Sequence, residues 1–261
     1  MTRILSALVL VPLVLAAIWL APAWLFALVI AVVVGVSVAE YANLVEKTGV
    51  PVPRTVSTSA AVAASVAVAW PGVPADVVLA ACVVAVPLVV LAAGRPAPRV
   101  PASAAAAMFP VAFLGVPLGL IGAIRGAYGR EVVLLLLVVV WVSDSAQYYL
   151  GSWLGRHRLA PAVSPGKSVE GAIGGVVAGI TSMVGLGRLW LPAASLAQLA
   201  AFGAVLVGLG IAGDLFESLL KRSADVKDSS GLIPGHGGVL DRVDALLFVM
   251  PGAFVTLRLI L

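Results

Sequence analysis

Nine apolar runs follow one another down this chain with only short polar connections between them, and no other feature limits its folding so tightly. They cover residues 4–20, 23–45, 56–70, 77–93, 104–124, 132–150, 172–186, 194–219 and 245–261. A bilayer core takes roughly 20 residues of helix to cross, and backbone groups in lipid must be satisfied within the element itself, so each run is expected to be a transmembrane helix. Composition agrees. Of the 261 residues 62% are hydrophobic and 11% charged, where a soluble domain has roughly 45–50% and about 25%. The expected fold is an all-α integral membrane protein, a polytopic bundle of about nine transmembrane helices, with no water-soluble domain of useful size. The third and seventh runs are the shortest and are rich in small residues. Residues 1–23, with one arginine, an apolar stretch and small residues, share features with a cleavable signal peptide. Because further spans follow at once, they are read as a retained first span.

Charge placement orients the bundle. With the N-terminus inside, Arg3, Lys47, Arg54, Arg95, Arg99, Arg156, Arg158, Lys167, Lys221, Arg222, Lys227 and Arg242 are cytoplasmic, while Arg125, Arg130, Arg188 and Arg258 lie outside. Twelve of the 16 basic residues on one side is the asymmetry of the positive-inside rule. The expected topology is N-in, C-out, with the polar connections 151–171 and 221–244 facing the cytoplasm. The net charge of +4 is therefore topological. Its basic residues are scattered, without interleaved aromatics, and form no nucleic-acid surface. The single cysteine, Cys82, excludes a disulfide framework and a thiol metal site, and is expected to be a small buried hydrophobe.

Eight of the twelve acidic residues lie late in the chain: Asp144, Glu170, Asp214, Glu217, Asp225, Asp228, Asp241 and Asp244. Asp144 and Asp214 fall in otherwise apolar helices, where an ionised carboxylate costs on the order of 2.5–3.5 kcal/mol even on the lenient insertion scale, so residues of this kind mark sites. At about 100° per residue, Asp214, Ser218 and Lys221 share a helix face, with Glu217 about 40° beyond. Asp241 and Asp244, three apart, share a face if 240–247 is helical. Carboxylates from different helices beside Lys and Arg suit a divalent hard cation carrying an anionic phosphate, and magnesium fits such an inventory. The structural alternative is that Asp214 and Glu217 merely pair with Lys221 and Arg222.

The segment SPGKSVEGAIGG, 164–175, reads equally as a phosphate-binding turn entering a helix and as an ordinary capped interfacial turn. Ser164 opens it, Gly166 permits close backbone approach, Lys167 supplies a point charge, and Ser168 caps a helix whose N–H groups favour anions. It is not a Walker A loop, since Pro161 stands where that motif needs a glycine. Gly171, Gly175 and Gly179 then recur every four residues as a stripe for close helix packing.

The stretch GDLFESLLKRSADVKDSSGLIPGHGGVLDRVD, 213–244, fixes Ser218, Lys221, Arg222, Lys227, Asp228, His236, Gly237, Gly238, Asp241, Arg242 and Asp244. It resembles the signature of the phosphatidate cytidylyltransferases, also called CDP-diacylglycerol synthases. Upstream, DSAQYYLGSWLGRHRLAPAVSPGKSVEG, 144–171, resembles that family's middle motif, and RILSALVLVPLVL its first span. The chain departs from the pattern at Gln147, where many members have alanine, and at Ser152, where a basic residue is common.

This resemblance implies transfer of the CMP unit of CTP to phosphatidic acid, giving CDP-diacylglycerol and pyrophosphate, with magnesium alone or with a second cation. On that reading Asp214 and Asp241 are the foremost metal ligands, with Asp144 and Asp244 beside them. Lys167, Lys221, Arg222, Lys227 and Arg242 are candidates for the triphosphate and the lipid phosphate. Asp228 joins the catalytic set, and Ser164, Ser168, Ser218, Gly237 and Gly238 the substrate-binding set. His236, among glycines, orders a tight loop or binds a phosphate oxygen rather than moving a proton, and His157 is a surface or headgroup contact. With these two histidines and one cysteine, a zinc site is not expected. Residues 1–130 are expected to be a membrane scaffold of about five spans, and 131–261 a catalytic membrane domain of about four. The implied setting is multi-pass in a bacterial-type inner membrane with the site facing the cytoplasm. The bilayer, CTP and phosphatidic acid are the partners, together with a second copy in a homodimer. Two other activities compete with this one. A CTP-dependent polyprenol or phytol kinase is similar around 164–168 and the intramembrane Asp. A secondary transporter would place its acids near the midplane of repeated halves, and no repeat is visible here.

Overall fold

A computed structural model describes residues 2–94 and 97–261, with the side chains of 2–5, 7 and 93 left aside. Arg95, one of the topological arginines, lies outside the described residues, as does the side chain of Arg3. The helices are α1 (Thr2–Leu20), α2 (Ala23–Lys47), α3 (Arg54–Ala69), α4 (Ala75–Ala93), α5 (Val100–Pro110), α6 (Val116–Tyr128), α7 (Arg130–Leu154), α8 (Val169–Trp190), α9 (Leu196–Ser223) and α10 (Leu240–Ile260). A π-helical turn, Val111–Gly115, joins α5 to α6 in one continuous rod. It lies between Pro110 and Pro117, whose missing N–H groups break the regular ladder. Nine separate helices therefore stand among the described residues, an all-α architecture as expected.

Seven of them are long and apolar enough to cross a membrane. The seventh run, expected over 172–186, is longer than its apolar core and forms the 22-residue α8. The third, α3, stays short at 16 residues, and α1 is apolar over Leu8–Leu20. Many large apolar side chains face outward, among them Leu20, Leu88, Leu91 and Leu259. Residues 164–168 depart from the expected turn. Ser164–Ser168 is a strand, β2, paired antiparallel with β1 (Arg158–Ala160) in a two-stranded hairpin that runs directly into α8. The turn lies earlier, where Val163 N–H donates to Ala160 O at 3.2 Å.

The chain forms two compact units, Met1–Gly126 with Ser223–Val243, and Ala127–Arg222 with Asp244–Leu261. In the first, the rod of α5 and α6 approaches α3 across glycines. A Cβ on Gly115 would lie 2.5 Å from Ala61 O, and one on Gly119 2.6 Å from Ser65 O. Cys82 is buried with Ala60, Ala64, Val86, Ala107 and Val111, as a small hydrophobe should be.

In the second unit the glycine stripe of α8 does the same work. Gly171, Gly175 and Gly179 are all buried; a Cβ on Gly175 would meet Gln147 Cγ at 2.3 Å, and one on Gly179 would meet Val207 Cγ2 at 2.2 Å. Helices in lipid gain little from hydrophobic exclusion and associate through such close contacts. Gly179→Ala is expected to destabilise the protein by about 1–3 kcal/mol through overpacking, read as a lower melting temperature in detergent. Gly185→Ala on the same helix, where a Cβ meets nothing within 4 Å, should leave the melting temperature unchanged or slightly raised.

Candidate active site

In the second unit, small residues bring β2 to the C-terminal end of α7. A Cβ on Gly155 would lie 2.7 Å from Ser168 Oγ, and one on Gly171 2.7 Å from Gln147 O. Ser168 caps α8 as its sequence position suggested, its Oγ accepting the Gly171 N–H at 3.1 Å. Lys167 precedes it, and its Nζ lies 2.7 Å from Asp214 Oδ2 on α9. Gly166 faces open space, and a Cβ there would meet nothing within 4 Å. Ser164 is half-buried at the start of the strand.

Asp214 follows Gly213, where α9 and α10 touch; a Cβ on Gly213 would lie 2.7 Å from Asp244 O and 3.3 Å from Ala245 Cα. That approach puts Asp214 and Asp244 within electrostatic reach of each other, with Lys221 and Asp144 also acting on Asp244. Ser218 Oγ donates to Asp214 Oδ1 at 3.4 Å, so the expected polar face of α9 exists. Glu217 is fully buried and pairs with Lys221 one turn on. Glu217 thus has the Lys221 partner that the structural alternative expects, whereas Asp214 meets Lys167 of β2. Arg222 is exposed, its Nε directed to Val163 O at 3.4 Å. Asp144 is exposed on α7 and accepts from Gln147 Nε2 at 3.2 Å, so one position that departs from the family pattern contacts a proposed ligand. His157 is exposed, with Nδ1 2.6 Å from Glu170 Oε1; Glu170 Oε2 also accepts the N–H groups of Arg156 and His157.

The rest of the signature belongs to the first unit. Lys227, Asp228 and Arg242 are exposed. Gly235 and Gly237 both have φ of +77°, in the region that favours glycine, and His236 N–H closes a turn onto Ile233 O at 2.9 Å. The His236 ring does not stand free: Nδ1 lies 2.6 Å from Ser6 Oγ on α1. Asp241 is buried at the start of α10, and its Oδ2 accepts from Ser229 N–H (2.9 Å), Ser229 Oγ (2.7 Å) and Gly238 N–H (2.7 Å). Glu40, on α2, belongs to the same network and no motif points to it. Its signal in the sequence is a carboxylate within an apolar run, the one applied to Asp144 and Asp214.

Magnesium fits the donor chemistry. Asp144, Asp214 and Asp244 offer hard carboxylate oxygens, and this ion takes one or two of these while water and substrate phosphate complete its shell. Among the described residues no three His, Cys, Asp or Glu side chains close on one point. Any ion held by these acids would need oxygens from water or substrate to complete its coordination.

Comparison with known proteins places these residues in a wider group. The sequence model of the cytidylyltransferase family matches residues 1–260. The chain is 43% identical over 135 residues to the phosphatidate cytidylyltransferase of Bacillus subtilis (strain 168), covering 51% of this chain and 49% of that protein. The corresponding protein of Haemophilus influenzae is 41% identical over 132 residues (48% and 44%), and that of Thermotoga maritima 40% over 139 residues (51% of each). The chain spans about half the length of the curated relatives it matches.

Proposed function

The chain belongs to the cytidylyltransferase family, and we propose that it transfers the CMP unit of CTP to phosphatidic acid, releasing pyrophosphate and giving CDP-diacylglycerol. The observation that carries this reading is the pairing of Lys167 with Asp214 beside Asp244. A cationic group and carboxylates set close together are what a metal-bound triphosphate needs. The activity for which the relatives from Bacillus subtilis, Haemophilus influenzae and Thermotoga maritima are named supports the substrate pair.

A phosphate monoester is already a nucleophile near neutral pH, so the protein need not generate one. A lipid phosphate oxygen bonds to the α-phosphorus of CTP while the bond to the bridging α–β oxygen breaks, and its electron pair leaves with pyrophosphate. The demands are alignment and neutralisation of charge. Lys167, Lys221 and Arg222 would take triphosphate or lipid phosphate oxygens, as would Lys227 and Arg242 on the signature segment. Ser164, Ser168, Ser218, His236, Gly237 and Gly238 would shape the substrate contacts, with Asp228 in the catalytic set. Asp144, Asp214 and Asp244 would hold magnesium; Asp241, whose Oδ2 accepts three protein donors, stays in the proposed metal set on its signature position alone. When bound, the ion would neutralise charge on the phosphates and on the departing pyrophosphate. On this reading the site faces the cytoplasm of a bacterial-type inner membrane, where CTP is met from water and the acyl chains remain in lipid, and the enzyme works as a homodimer.

Labelled CTP decides between this reaction and kinase chemistry. Purified protein with phosphatidic acid is expected to move label from the α-phosphate into lipid and to release pyrophosphate. Lipid labelled from the γ-phosphate instead would overturn the proposal.

A further inference from the structure

Glu40 on α2 is 4% exposed, yet both of its carboxylate oxygens are engaged by residues some 190 to 200 positions later. Its Oε1 accepts from Ser230 Oγ at 2.6 Å and Val239 N–H at 3.1 Å. Its Oε2 accepts from Leu240 N–H at 2.7 Å and lies 3.1 Å from Ser229 Oγ. Leu240 begins α10, and the first N–H groups of a helix have no partner within it, so a carboxylate there both satisfies donors and meets the positive end of the dipole. Glu40 thus caps α10 from another helix. Ser229 Oγ also lies 2.7 Å from Asp241 Oδ2. A hydroxyl has one proton to donate, so Ser229 serves one acid at a time and joins Glu40 and Asp241 in one network.

We propose that Glu40 is a positioning residue for the transfer reaction: it fixes the 229–240 loop and, through Ser229, the orientation of Asp241. The role rests on the cytidylyl-transfer reading. Each Glu40 oxygen faces a backbone N–H, Val239 on one side and Leu240 on the other. Glutamine would therefore set an amide NH2 against a donor in either flip, leaving a buried conflict that costs more than a lost hydrogen bond. Aspartate keeps the charge but falls one methylene short.

The test combines loop mobility with kinetics in the full-length protein in detergent. A nitroxide on Leu232→Cys, an exposed loop position, in a Cys82→Ala background reports the loop, and kcat and KM are measured for CTP and phosphatidic acid. Glu40→Gln is expected to mobilise the label and to lower kcat/KM for CTP by about 10²-fold, the scale of a misplaced constellation. Most of that loss should lie in KM, whereas partial unfolding would scale kcat and leave KM alone. Glu40→Asp should fall between wild type and Glu40→Gln. Should Glu40→Gln fail to fold, Ser230→Ala removes one of the partners and is expected to show the same two effects at about a tenth of the size. An unchanged label spectrum, or a mobile loop with unchanged KM, would overturn the role. Wild-type protein unable to transfer CMP would overturn the activity itself, while active wild type with equally active Glu40→Gln would overturn this role alone.

Discussion

Asp214→Asn is expected to lower kcat by about 10²–10³-fold, the scale on which removing one aimed charge-stabilising group acts in a site. The substitution keeps the side chain's size and removes its charge. In the present structure Oδ2 lies 2.7 Å from Lys167 Nζ and Oδ1 accepts from Ser218 Oγ. Asparagine must turn its NH2 toward one of these, so either the lysine loses its acceptor or the serine reverses its bond. Asp214 is also the acid nearest in chain to Gly213, the glycine through which α9 reaches α10, so it and Asp244 are held in place by backbone packing rather than by each other. The fold should survive, since the α9–α10 contact does not use the carboxylate. Turnover measured across a magnesium titration checks this: the variant should need more magnesium as well as turning over more slowly. Full turnover with ordinary magnesium dependence would remove Asp214 from the metal set. Lys167→Met is the companion case, expected to raise KM for CTP more than it lowers kcat.

What could be read from the sequence follows from where the controlling forces act. The helices were legible because lipid leaves the backbone no other solution, and the stripe at Gly171, Gly175 and Gly179 because close packing in lipid rests on small residues at helical spacing. The Ser168 cap was legible because it is local. The strand at 164–168 was not: Pro165, Gly166 and Lys167 are poor strand formers, and the hairpin pairing with 158–160 overrides their propensities. The partners of acids were legible only within a helix. Glu217 and Lys221, four apart, pair as helical spacing requires, while Lys167 with Asp214 and Glu40 with Ser230 join distant segments. The fewness of polar groups in the first five spans suggested a mere scaffold, and it hid Glu40. Nor does any local pattern show that 223–243 packs with the N-terminal helices rather than with the helices on either side of it.

Gly238→Ala is expected to lower kcat/KM by about 10²-fold, the cost of a displacement near 1 Å in a positioned site. The backbone there does not demand glycine, since Gly238 is absent from the positive-φ residues that include Gly235 and Gly237. Space is the reason. A Cβ would fall 2.1 Å from Ser229 Oγ and 2.5 Å from both Glu40 oxygens, and these atoms cannot swing away without giving up bonds to Leu240, Val239, Ser230 or Asp241. The Gly238 N–H is itself a ligand of Asp241 Oδ2 at 2.7 Å, so moving the backbone to relieve the contact moves that bond too. Gly231→Ala in the same loop is the control: it has no positive φ and its Cβ meets nothing within 4 Å. Steady-state kinetics on both should separate them, with Gly231→Ala within about twofold of wild type, the scale expected of a surface change that touches no such feature. Equal losses in the two would mean that the loop tolerates no added side chain anywhere, and that the network around Asp241 is not what makes Gly238 indispensable.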